Sequence, residues 1–184
     1  MDDKKTTFTD SQQTRAYAAY YGFWVGLCWA ASFALSMYAL THPSVGNLGL
    51  ILGLCSLPLG VWLMRGFRQT IAPLPLRRAW HMAWMMFLGA ALICTATQFV
   101  YFAYFDGGQL VRSYGEMFQQ PELHDMMQQM LPGQDIDAMM NEALTAFNTT
   151  PPSQLTLQFL FWNVLLATIF AFPTALFSFS RDLP

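Results

Sequence analysis

The residues best suited to chemistry in this sequence are a soft-ligand group, His124, Met126, Met127 and Met130, and two carboxamides, Gln98 and Asn163. Thioether sulfurs favour Cu(I), so the first group invites a copper reading. The same methionines also fall on one apolar helical stripe, where flexible side chains fill irregular gaps. That simpler account suffices, and no metal or cofactor is expected. The carboxamides are the most polar side chains at depth in two long apolar stretches. There they either bond between helices or line a cavity that could hold a small solute.

Nucleophilic and phosphate-binding chemistry have no foothold. The chain has no G-x-S-x-G, H-E-x-x-H or P-loop, whose backbone and side-chain placement those reactions need, so no catalytic residue is assigned and no enzyme is expected. Cys28, Cys55 and Cys94 sit singly in three different apolar stretches. They read as small apolar packing residues and not as a disulfide framework.

What must position these groups is lipid-facing helix. Of 184 residues, 54% are hydrophobic and 11% charged, far from the roughly one quarter charged of an ordinary soluble domain. A net charge of -2 gives no basic surface for nucleic acid. Four stretches are apolar enough and long enough for the ~20 residues that a bilayer core requires, at 17–40, 46–64, 79–105 and 155–179. Around them lie a polar lead at 1–16, a basic loop at 65–78, an acidic segment at 106–154 and a short tail at 180–184. The lead is expected to fray. Cleavage as a signal peptide is disfavoured, because the first apolar run exceeds the length of an h-region and no small-residue site follows it. The fold class is therefore all-α, a polytopic membrane protein, with Pro173 a kink near the end of the fourth span.

Orientation follows from lysine and arginine counted by side. With the N-terminus in the cytoplasm, that side holds Lys4, Lys5, Arg15, Arg65, Arg68, Arg77, Arg78 and Arg181, and the far side holds Arg112 alone. Both termini are then cytoplasmic and 106–154 is periplasmic.

In that outer segment, Leu123, Met126, Met127, Met130 and Leu131 keep a helical period, and Ile136, Met139, Met140, Ala143, Leu144 and Phe147 repeat it. Pro132 and Gly133 separate them. The pattern predicts a two-helix amphipathic hairpin between the third and fourth spans. Helices this short are marginal alone, so the hairpin needs a further surface. The protein's own spans are favoured, with a homodimer contact next and another periplasmic or membrane protein after it. The acidic polar faces, Glu122, Asp125, Asp137 and Glu142 among them, argue against an anionic lipid surface.

Gly22 with Gly26, and Gly49 with Gly53, form two G-x-x-x-G pairs on the spans joined by the shortest loop. This spacing lets helix backbones approach closely, so contact between spans one and two is expected, with a dimer seam as the other use. No Asp, Glu, Lys or Arg lies in the core of any span, which weakens a transporter or pump.

Taken together, RAYAAYYGFWVGLCW at 15–29, RGFRQ at 65–69 and LPGQDID at 131–137 resemble an uncharacterised family of Bacteroidota membrane proteins, domain of unknown function 4199. The resemblance covers the whole chain. It implies the inner membrane of a Gram-negative bacterium and brings no catalytic residues. The function expected is a non-enzymatic scaffold or interaction protein acting through its outer hairpin. A small-solute transporter or channel subunit with a polar site near Gln98 and Asn163 is the alternative.

Overall fold

A computed structural model describes residues 3–70 and 73–180, the side chains of 3–11, Pro43, Thr70 and His124 excepted. Arg181 and the rest of the tail lie outside the described residues. Four long helices dominate: α1 (Asp3–Ala39), α2 (Leu48–Thr70), α3 (Leu76–Tyr104) and, after three short helices, α7 (Pro152–Ser178). Each is long and apolar enough to cross a membrane, and no strand occurs among the described residues. Leu50, Ile51, Leu54, Trp62, Leu157, Phe161, Ile169 and Phe172 point outward. So large an apolar surface is stable only against hydrocarbon.

The four long helices form a ring in the order α1, α2, α7, α3. Consecutive α2 and α3 therefore stand diagonally, and α1 lies parallel to α3, as α2 does to α7. Parallel neighbours are possible because the link from α2 to α3 crosses one end of the bundle. Its far end is pinned by two hydrogen bonds: Leu74 N donates to Ser180 Oγ (3.2 Å) and Ser180 N to Leu74 O (2.9 Å). The most enclosed helix is α3. Its Ala83, Ala90 and Ala91, with Ala167, Ala171 and Ala175 of α7, give the backbones room to close, and Phe87, Met82, Met86, Met64 and Phe67 fill the core between them.

Three boundaries differ from the sequence expectation. The first helix starts well before Tyr17, continuing α1 back through the polar lead to Asp3, and Arg78 Nε donates to Thr14 Oγ1 (2.8 Å). Much of the basic loop is helix, because α2 runs past Met64 through Arg65 and Arg68 to Thr70. These arginines reach the open C-terminal carbonyls of α7: Arg65 Nε donates to Phe177 O (3.0 Å) and Arg68 Nη1 to Phe179 O (2.8 Å). Helix ends leave such carbonyls unpaired, and basic side chains satisfy them.

Third, the segment between α3 and α7 has the two expected helices and one more ahead of them. It holds α4 (Gln109–Phe118), α5 (Pro121–Met130) and α6 (Ile136–Thr149). Asp106 opens α4, accepting from Gly108 N and Leu110 N at 3.1 Å each. Asp135 caps α6, accepting from Ala138 N at 3.0 Å. Gly133 takes φ +87° between α5 and α6, a left-handed turn that favours glycine.

Candidate functional site

Asn163 stands midway along α7 and faces α3, buried. Its Nδ2 donates to Gln98 Oε1 (2.8 Å) and to Thr95 Oγ1 (2.9 Å), and Thr95 Oγ1 in turn donates to Ala91 O (2.7 Å). Gln98 and Asn163 thus meet each other. One turn of α3 carries Thr95 and Gln98 on the same side, so a single carboxamide can reach both. The chemistry available to such a node is interhelical hydrogen bonding in a low-dielectric interior, where an unmade bond is costly.

The glycine pairs divide between two seams. Gly49 and Gly53 of α2 lie against Ser32 and Ser36 of α1, and a Cβ on Gly49 would come within 2.8 Å of Ser32 O. Ser32 Oγ donates to Gly49 O (2.6 Å), a bond that a larger residue would prise apart. Gly22 and Gly26 turn instead to α3. A Cβ on Gly22 would approach Met86 O to 2.7 Å, and one on Gly26 would meet Ile93 and Ala90. The expectation that both pairs serve the contact between spans one and two is corrected here, because α1 is wedged between α2 and α3 and uses a different face for each. Trp29 completes the first seam, its Nε1 donating to Ser56 Oγ (2.9 Å). A tryptophan next to Cys28 and one turn before Ser32 carries no sequence signal for that pairing.

In the α4–α6 unit, α4 supplies a surface that the sequence left open. Gly115 of α4 lies 3.7 Å, measured from the position of its missing Cβ, from Leu144 Cδ1 of α6. Phe118, Met140 and Leu144, with Asp125 and Asp137, line a cleft of about 430 Å³. The signal for α4 was legible: Leu110, Val111, Tyr114, Met117 and Phe118 repeat at helical spacing. Ile136 is buried, and Met127, Met140, Leu144 and Phe147 are half-buried. Met126, Met130 and Met139 are not covered, at 57%, 74% and 44% exposure. The main packing partners of α4, α5 and α6 are one another, not the spans.

A family model described as a protein of unknown function (DUF4199) matches residues 20–178. No curated protein and no solved structure matches the chain.

Proposed function

We propose, taking as premise that the chain belongs to the DUF4199 family and inherits no described activity from it, that this integral membrane protein works by protein contact. The α4–α6 unit is the contact module, with a second copy of the chain as its first partner and another protein as the runner-up. The observation that carries the reading is the row Met126, Met130 and Met139, which stays exposed after α4 has packed onto α5 and α6. Methionine adapts to varied apolar surfaces and is common where binding must tolerate several shapes. Acidic side chains flank the row at Glu122, Asp125 and Glu142, which disfavours anionic lipid as its cover. A periplasmic setting for this unit, cytoplasmic termini and an inner-membrane location belong to the same proposal and rest on the lysine and arginine asymmetry.

The transporter reading draws less support. Gln98 and Asn163 direct hydrogen-bonding groups at each other, which uses part of the capacity that a solute site would need.

Crosslinking and native mass spectrometry on the wild type and a Met126→Glu, Met130→Glu variant test the proposal. The expected outcome is loss of the dimer, or of a co-purified partner, in the variant. Oligomeric state and partner recovery identical in both proteins would overturn it.

A further inference from the structure

At the opposite end of the bundle from the outer unit, α2 and α7 enclose a groove of about 480 Å³, within the size range of ligand sites. Leu57, Pro58, Val61 and Trp62 form one wall, Pro173, Thr174 and Phe177 the other, and Arg65 stands at its end. Each wall contains a proline inside its helix, Pro58 and Pro173. A proline in that position removes a backbone donor and disturbs the preceding turn, so neither helix can close regularly on the other here. The groove is open on its outer side, between helices whose outward residues suit hydrocarbon, so its occupant enters from the bilayer and not from water.

Two polar features distinguish this groove from a plain lipid-facing furrow. Thr174 lines it, fully buried, and its hydroxyl has no hydrogen-bond partner. Arg65 uses only its Nε on Phe177 O, and a guanidinium has five N–H donors. The remaining donors form the planar fork that suits phosphate. Arg68 and Arg77 lie on the same end of the bundle and add to its positive charge.

We infer that this groove holds an anionic phospholipid, one acyl chain lying along Leu57, Val61 and Phe177 and the phosphate at the free donors of Arg65. Charge complementarity selects the headgroup, and the hydrocarbon setting of the walls selects a lipid over a free anion. Basic pockets between membrane helices bind acidic headgroups by the same physics.

The test uses the full chain in detergent, with thermal unfolding followed while phosphatidylglycerol, phosphatidylcholine or inorganic phosphate is added. Phosphatidylglycerol is expected to raise the midpoint and to be retained about fivefold better than phosphatidylcholine, the factor that one basic residue contributes near an anionic lipid. Arg65→Gln should erase that difference between the lipids, even though losing the bond to Phe177 lowers the starting midpoint. Val61→Trp, which fills the groove and keeps Arg65, should also erase it. Arg77→Gln, exposed and outside the groove, should leave it intact. Equal response to the two phospholipids in the wild type, preference surviving both groove variants, loss only in Arg77→Gln, or a matching shift with inorganic phosphate would each overturn the inference.

Discussion

Asn163, Gln98 and Thr95 form a buried polar contact across the α3–α7 seam, and its value can be measured. Hydrogen bonds between membrane helices contribute about 0.6 kcal/mol on average and up to about 1.7. A double-mutant cycle on Gln98→Ala and Asn163→Ala should return a coupling of about that size, read from unfolding in a mixed-micelle titration. A coupling of zero would mean that each amide finds another partner. The residue types were legible as the polar pair at depth, but their meeting was not. Depth along a span says nothing about which face a side chain takes relative to a helix some 65 positions away.

At the scale of elements, the seams decide which substitutions matter. Gly49→Val should destabilise the protein by about 1–3 kcal/mol, the usual cost of overpacking, because its side chain would meet Ser32 O and the backbone of Ser36. Gly66→Ala, with nothing within 4 Å of the added carbon, should be neutral or stabilising by up to about 1 kcal/mol through helix propensity. Thermal unfolding of both variants checks the contrast, and equal effects would remove the case for a tight α1–α2 seam. The spacing of small residues announced close packing but not its partner. Gly22 and Gly26 share a helix with Ser32 and Ser36, yet a rotation of a few residues around α1 turns them from α2 to α3. In the α4–α6 unit, the periodic stripes of α5 and α6 marked those helices. The repeat of Leu110, Val111, Tyr114, Met117 and Phe118 marks α4 as well, but not that its surface partly covers the other two.

At the scale of the whole molecule, the two ends of the bundle differ in sign: Arg65, Arg68, Arg77 and Arg78 at one, and the acid-rich α4–α6 unit at the other. The proposed orientation, with the basic end in the cytoplasm, makes a direct prediction about access. In intact cells, Met130→Cys should react with a membrane-impermeant maleimide, since Met130 is the most exposed methionine of the unit. Arg77→Cys should react only after the membrane is permeabilised. The reverse pattern would invert the topology and place the contact module in the cytoplasm. Cys28, Cys55 and Cys94 lie within the long helices, so a background without them keeps the readout clean.

The sequence by itself determined the number of the long helices and the apolar core of each, because hydrocarbon imposes a length and an absence of charge that local composition must meet. It also marked the caps and breaks that local chemistry sets, Asp135 before α6 and Gly133 ahead of it. Only the tertiary structure decided the ring order α1, α2, α7, α3 and the divided use of the glycine pairs. It alone decided the meeting of Asn163 with Gln98 and the arginine bonds to the end of α7. Each of these depends on the rotation of one helix against another. Uniformly apolar spans carry little periodic signal to fix that rotation, so side-chain packing and a few hydrogen bonds settle it.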